Sequence, residues 1–274
     1  MKLVIITVQP HGYPHWQAFD ELADSLVEAA DQLGHDVERS SMPIWGRRSI
    51  ILGSNLLDNV IWEPPPDSIL YNLEQIDPNS PWIHVNMLAR MRHHIVWDYS
   101  DYNAARYSLV GLPPPRAILP VGYSPSMERI NKVDPTIDVF MYGSFNERRM
   151  AASHLFDQTK LGSVRGFNVY GEKRDDAIAQ CRLVLNVHYY QANIFEIVRC
   201  SYLMANRIPI VSEESFDQEL WEAGVSFVPY NGIARRVASL LDTPDVLHEL
   251  GEAGYELIKS RPQKDYLRAA LETL

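Results

Sequence analysis

The first 38 residues constrain the fold more than any other stretch. Leu3 to Val8 reads Leu-Val-Ile-Ile-Thr-Val, a short apolar run rich in β-branched residues, which predicts a buried strand. The loop Gln9-Pro10-His11-Gly12-Tyr13-Pro14-His15 follows. Trp16, Phe19, Leu22, Ala23, Leu26, Val27, Ala30 and Leu33 then recur at three- and four-residue steps, one apolar face of a helix. Gly34 stands where a helix end calls for a left-handed residue. A second strand starts at Asp36-Val37-Glu38. A strand–helix–strand unit this compact implies a parallel sheet with a right-handed crossover.

The alternation continues with interruptions. Pro64-Pro65-Pro66 and Pro113-Pro114-Pro115 are rigid connectors. Ser68–Leu73 and Ile95–Trp97 read as strands, Pro81–Arg92 as a helix with Pro81 in its first turn, and Ala117–Leu119 as a further strand. The polar run Asn131-Lys132-Val133-Asp134-Pro135 marks a domain boundary after Asp134. A second alternation follows: strand Ile137–Tyr142, helix to about Leu161, strand Asn168–Tyr170, helix Asp175–Cys181, strand Leu183–Val187, helix Ile194–Ala205, then strands Ile208–Val211 and Val225–Val228 before closing helices. The predicted fold class is α/β, with two doubly wound Rossmann-like domains, 1–134 and 135–260, facing across a cleft. Residues 261–274 form a C-terminal helix that could cross back to the first domain.

Length and charge narrow the function. At 274 residues with 46% hydrophobic content, the chain can bury two modest cores. No stretch approaches the apolar length of a membrane span, and the N-terminal run reads as a strand rather than a signal peptide. Two cysteines, Cys181 and Cys200, lie in apolar segments, which fits a reducing cytoplasm rather than a disulfide framework. A net charge of -10 disfavours nucleic acid unless a local basic patch overcomes it. The basic pairs are few: Arg47-Arg48, Arg148-Arg149 and Arg235-Arg236.

Ligands of open parallel sheets bind beyond the carboxyl ends of the strands. The loop Gly143-Ser144-Phe145-Asn146-Glu147-Arg148-Arg149 combines a glycine, two hydrogen-bonding side chains and the only one of these arginine pairs in a Gly-containing loop, all before a helix N-terminus that favours phosphate. The plainer account is a strand-to-helix turn with a solvated arginine pair. From Leu185 to Glu213 a buried strand runs into a polar aromatic loop carrying Asn186, His188, Tyr189 and Tyr190. Glu196 is expected in the first turn of the next helix, where it could take ribose hydroxyls, with Arg199 three residues on and able to pair with it. A helix-surface ion pair beside a space-filling His and Tyr satisfies the same pattern. No acid cluster has metal-ligand spacing.

The segment Leu185–Glu213, with its pattern Leu-Asn-x-His-Tyr, Glu-x-x-Arg and Val-Ser-Glu, resembles the donor-nucleotide region of GT-B glycosyltransferases, notably a loosely defined bacterial and viral group. Leu240-Leu241-Asp242-Thr243-Pro244-Asp245 through Leu250-Gly251-Glu252-Ala253-Gly254 resembles the ending of the same superfamily, and Tyr142-Gly143-Ser144 with Arg148-Arg149 its first donor-domain loop. The resemblance covers residues 137–260 and is weaker before Asp134. It implies a metal-independent glycosyltransferase with no resident cofactor and a nucleotide-sugar, UDP foremost, as donor. It puts Glu196 on the ribose, Gly143, Ser144, Arg148 and Arg199 on the diphosphate, and Asn146, Arg149, Tyr170, Asn186, His188 and Tyr189 on the same rim. One departure stands out. Many retaining members carry two glutamates eight positions apart, followed by Ala-Cys-Gly-x-Pro. Here Tyr202-Leu203-Met204-Ala205-Asn206-Arg207-Ile208-Pro209 fills that run without the second glutamate or the glycine, so the retaining mechanism is not carried over.

The acceptor, a glycan or other hydroxyl compound, would then meet the first domain. His11 and His15 lie in its first strand-to-helix loop and are the candidates for the base, with Asp20 behind them. The leading expectation is sugar transfer in surface-glycan synthesis. A phage-type DNA-base glycosyltransferase and a noncatalytic nucleotide- or glycan-binding subunit are the alternatives.

Overall fold

The computed structural model describes residues 1–157, 161–190 and 192–274. The chain divides into one unit of Met1–Ser126 with Arg261–Leu274 and a second of Met127–Ser260. The break therefore falls at Ser126/Met127 rather than after Asp134. Asn206 explains the difference: its Oδ1 accepts the N–H groups of Arg129 (3.0 Å) and Ile130 (2.8 Å), and its Nδ2 donates to the Met127 carbonyl (2.8 Å). These bonds fasten the polar run to the second unit.

In the first unit, β1 (Lys2–Thr7) is followed by a 3₁₀ turn (Pro14–Phe19), α1 (Asp20–Gln32), β2 (Asp36–Ser40), β3 (Arg48–Leu52), β4 (Ile69–Asn72), α2 (Val85–His93), β5 (Ile95–Asp98), α3 (Asp101–Ala104) and β6 (Ala117–Ile118). All pairings are parallel, in the order β2-β1-β3-β4-β5-β6. Leu22, Ala23, Leu26, Ala29 and Ala30 bury the inner face of α1, and Gly34 at φ 77° ends the helix, as the sequence pattern predicts. The C-terminal helix Gln263–Leu271 packs against α1. Chain order reverses between β1 and β3, so the loop holding His11 and His15 lies at this sheet's switch point. Two expectations change. β3 was not read from sequence, although Ser49-Ile50-Ile51-Leu52 before Gly53 carries a strand signal. The helix expected from Pro81 starts at Val85, because the His84 side chain accepts the Met87 N–H and caps it there.

The second unit contains β7 (Ile137–Tyr142), α4 (Glu147–His154), β8 (Ser163–Gly166), α5 (Gly171–Ala179), β9 (Cys181–Asn186), α6 (Ile197–Ala205), β10 (Ile210–Glu213), β11 (Ser226–Val228), α7 (Ile233–Leu241) and α8 (Pro244–Lys259). The parallel order is β11-β10-β9-β7-β8. β8 lies on one side of β7 and β9 on the other, which sets the switch point between β7 and β9. The strand expected at Asn168–Tyr170 is instead Ser163–Gly166, since Asn168 turns the chain at φ 51° and Tyr170 caps α5. α5 ends at Ala179 rather than Cys181, which opens β9. α4 ends at His154; the expected continuation toward Leu161 runs over 158–160, outside the described residues. Both cysteines are buried free thiols.

One buried acid organises the carboxyl edge of the first sheet. Asp98, at the end of β5, accepts hydrogen bonds on Oδ2 from Asn72 Nδ2, Asn103 Nδ2 and the Tyr107 hydroxyl, each at 2.8 Å, and on Oδ1 from the Ser100 N–H at 3.0 Å. Asp98→Ala removes the acceptor of the Tyr107 hydroxyl and of one N–H each of Asn72 and Asn103, whose amides keep only their bond to the Glu74 carbonyl. At on the order of 1 kcal/mol for each of the three side-chain donors, the first unit should lose about 3 kcal/mol. Urea unfolding followed by Trp97 fluorescence checks this, and an unchanged midpoint would refute it.

Candidate functional site

The switch point of the second sheet is built from the loops that leave β7, β9 and β10. Gly143 follows β7 at φ 108°, a region closed to most side chains. A Cβ there would come within 2.7 Å of Arg199 Nη2, so glycine is what lets the α6 guanidinium lie against this loop. Asn146 caps α4 by accepting the Arg149 N–H (2.9 Å), and its Nδ2 donates to the Tyr189 carbonyl (3.1 Å). Both polar ends of Asn146 are thus used within the protein.

The two adjacent arginines have separate roles. Arg149 is 3% exposed. It donates from Nε to the Val187 carbonyl (2.7 Å), from Nη1 to the Ser144 carbonyl (2.8 Å) and from Nη2 toward Glu196 Oε1 (3.5 Å), with its guanidinium 5.3 Å from the Tyr189 ring centre. Burial, then the neighbouring Arg199, pushes its pKa down to about 10. Arg148 is exposed. It pairs with the buried Glu213 carboxylate and lies 4.3 Å over the Tyr230 ring, whose hydroxyl donates to the Arg148 carbonyl (2.9 Å).

Glu196 is the centre of the site. It occupies the N-cap position of α6 at φ -75°, ψ 60° rather than the first turn. The expected side-chain pairing with Arg199 does not form among the described residues; the Arg199 guanidinium turns to Asn186 Oδ1 instead. Its Oε2 accepts from Asn186 Nδ2 (2.8 Å), and the carboxylate faces His188 Nδ1 (3.2 Å) as well as Arg149. Burial raises the carboxyl pKa, but His188 first and then Arg149 and Arg199 outweigh it and hold the value at about 2. Asn186 also donates to Ser212 Oγ (3.0 Å) and accepts from Arg199 Nη1 (3.3 Å). That bond is the only side-chain hydrogen bond of Arg199 among the described residues; its guanidinium lies 5.0 Å from the Tyr142 ring centre.

His188 is fully buried and lies beneath Glu196 rather than on the rim. Its Nε2 is 2.9 Å from the Glu214 carbonyl and 3.1 Å from Ser215 Oγ, and its backbone N–H donates to Glu213 Oε2 (3.3 Å). Ser144 is exposed, Tyr170 caps α5, and Tyr189 meets Tyr190 edge to face at 5.1 Å. Gln191 lies outside the described residues. Sequence reasoning passed over Ser215, Asn193 and Tyr230, which with Glu213, Glu214, Phe216 and Pro229 line an open hollow of about 290 Å³ beside His188. The signal available was their position in the loops that follow β9 (Asn193), β10 (Ser215) and β11 (Tyr230).

In the first unit His11 is exposed in its turn, and His15 sits in the 3₁₀ turn with its ring 4.9 Å from Tyr13. Asp20 opens α1 and is paired with Arg39 of β2, which also holds Asp24. Burial raises the Asp20 pKa against the pull of Arg39. Among the described residues no group of three His, Cys, Asp or Glu is placed to hold a metal ion, and no helix is long and apolar enough to cross a membrane.

No protein-family model matches the chain. Two uncharacterised proteins of Acanthamoeba polyphaga mimivirus are similar in sequence: L138, 34% identical over 115 residues (38% of this chain), and L140, 27% identical over 183 residues (61% of this chain). The matched stretches span 12% and 57% of those proteins' own lengths. Among solved structures, sucrose-phosphate synthase from Thermosynechococcus elongatus superposes with a TM-score of 0.62 at 12% identity, over 99% of this chain and 97% of that one. HepE of Anabaena in complex with UDP gives 0.60 at 10% identity, with full coverage of both chains. The DNA-modifying enzyme β-glucosyltransferase gives 0.55 at 13% identity, over 100% of this chain and 99% of that one. The two parallel sheets and these superpositions together show that the chain has the GT-B fold of the glycosyltransferases.

Proposed function

We propose that this chain is a cytoplasmic, metal-independent glycosyltransferase that moves a sugar from a nucleotide-sugar, UDP-linked foremost, to a hydroxyl acceptor in surface-glycan synthesis. The observation that carries the reading is the state of Glu196. An ionised carboxylate is held at the switch point of a parallel sheet, partly open to solvent, with lone pairs left for ribose hydroxyls. Arg199 stands next to it against Gly143, with most of its donors unspent among the described residues. Arg149 and Arg199, joined by His188 when its ring is doubly protonated, set positive charge against the Glu196 carboxylate, while Arg148 and Glu213 offset each other. That surplus suits a diphosphate and supplies charge stabilisation that a divalent cation would otherwise provide.

In the reaction, a base takes the proton of the acceptor hydroxyl and the oxygen attacks the anomeric carbon. The bond from that carbon to the diphosphate oxygen breaks, and the nucleoside diphosphate leaves carrying its charge toward Arg199. His15 is the proposed base and His11 its alternative, since both imidazoles stand in the loop at the first sheet's switch point and an imidazole can accept a proton. Asp20 is the less suited candidate because Arg39 occupies its carboxylate. The net charge of -10 favours a glycan over DNA as acceptor.

Incubation with UDP-, GDP- and dTDP-sugars, offering oligosaccharide or duplex DNA as acceptor, tests the reading. Transfer to DNA alone would favour DNA-base modification, and nucleotide binding without any transfer a noncatalytic role. Glu196→Ala should weaken UDP binding by about tenfold or more, in keeping with about 1.5–3 kcal/mol for hydrogen bonds to a charged group. Calorimetry showing wild-type affinity would remove Glu196 from the ribose. His15→Ala should abolish turnover while leaving donor affinity unchanged, and a wild-type rate would exclude it as the base. Because the Glu196 pKa is depressed, its stabilisation of the second unit is present above 4.5 and is lost as pH falls toward 2. Glu196→Gln should remove this part of the acid transition, as read by melting temperature against pH.

A further inference from the structure

His188 is bracketed by acceptors. Nδ1 faces the Glu196 carboxylate at 3.2 Å and Nε2 faces the Glu214 carbonyl at 2.9 Å. A neutral imidazole carries one proton and would turn a lone pair toward one of these oxygens. Both contacts are satisfied together only by the doubly protonated ring. The charged groups around it favour that form. Glu196 lies at the start of α6, Glu213 and Glu214 at the end of β10, and Asp217 four residues beyond Glu213; the opposing cations are Arg149 on α4 and Arg199 on α6. Burial pushes the ring toward neutrality, but Glu196, the Glu214 carbonyl and Glu213 outweigh it and raise the pKa above the ordinary 6.5.

The neutral form also has a partner. Ser215 Oγ is buried and 3.1 Å from Nε2, able to donate to that nitrogen once its proton is lost. The pocket therefore accommodates two protonation states differing by one unit of charge directly beneath Glu196.

We propose that His188 is a positioning residue whose second proton fixes the Glu196 carboxylate and sets the upper pH limit at which the second unit binds a nucleoside diphosphate. This rests on the donor-site reading above. Loss of the proton leaves Glu196 its hydrogen bond but removes one of the three cations around it. Affinity for a dianionic or trianionic ligand then falls as pH rises through the His188 pKa. By linkage, bound diphosphate raises that pKa by the same factor.

The test uses UDP and the full chain. Two-bond proton–nitrogen NMR spectra at pH 6 to 9.5 follow the His188 ring directly, without any substitution. The expected result is an imidazolium at pH 7.5, with a midpoint that rises by about one pH unit on saturation with UDP. A neutral ring at pH 7.5 overturns the proposal. Calorimetry between pH 7.5 and 9, where the UDP phosphates are already ionised, should show the wild type losing about tenfold in affinity. His188→Gln should bind at pH 7.5 as weakly as the wild type at pH 9, with a flat profile. Ser215→Ala deprives the neutral ring of its donor and should move the midpoint upward. A drop that persists in His188→Gln, or an unmoved midpoint in Ser215→Ala, overturns the inference while UDP binding keeps the donor reading intact. Failure of UDP to bind at any pH removes the donor reading and the link to binding together, whatever the ring titration shows.

Discussion

The candidate site at the second sheet's switch point depends on one buried guanidinium. Arg149 joins the loop after β7 through Ser144, the loop after β9 through Val187 and the start of α6 through Glu196. Asn146 also ties the first two segments, and Asn186 and His188 the last two, but among the described residues Arg149 alone bonds to all three. A planar fork with five donors can serve three acceptors in different directions, which an ammonium on a flexible stem does poorly. Burying that charge carries a desolvation cost of several kcal/mol before compensation. The cost is offset only because all three partners are present, so the loops and the arginine stabilise one another. Positioning and electrostatics are thereby coupled: whatever moves the Ser144 loop also moves the cation that holds Glu196 ionised.

That coupling explains how an acidic chain can present an anion site. The net charge of -10 acts over distances at which salt screens it. Within the site the relevant groups are local, and there the Arg149 and Arg199 guanidiniums stand around the Glu196 carboxylate. Arg148 does not alter the balance, because Glu213 takes it up and Tyr230 covers it. Gly143 sets how close the remaining cation comes. The space its missing Cβ would occupy is where the Arg199 guanidinium lies, so one backbone position controls the approach of the group proposed to face the diphosphate.

The fold was legible where periodicity is strong. β1, α1 and the turn at Gly34 follow directly from residue order, as do β7, β9 and β10 to within a few residues. The reading slipped where side-chain bonds override local pattern. His84 starts α2 late, Asn168 moves a strand, and Asn206 moves the domain boundary. The candidate site was legible as a list of residues but not as an arrangement. Asn146, Arg149 and His188 were expected to face a ligand, and each turns inward. Nothing in their spacing could show this, because the acceptors they serve, Ser144, Val187 and Glu214, contribute backbone carbonyls that every residue carries. Glu196 and Arg199 do lie together at the switch point, both bonded to Asn186, but without the expected pairing.

The departure from the paired-glutamate pattern takes a specific form. Glu196 has no glutamate eight positions to either side: Met204 stands after it and His188 before it. Met204 is buried in α6, whereas His188 touches the Glu196 carboxylate. A second carboxylate at that contact would repel the first and push one of the two toward the neutral acid. An imidazolium there does the opposite, lowering the Glu196 pKa and adding to the positive side of the balance. A carboxylate beside the anomeric carbon can stabilise positive charge developing on the sugar; an imidazolium cannot. Its charge is instead suited to the departing diphosphate. On the proposed function, the same residue that removes the retaining pattern would strengthen the site's hold on the nucleotide. It leaves deprotonation of the acceptor to a group outside this network, which is the role proposed for the His11–His15 loop.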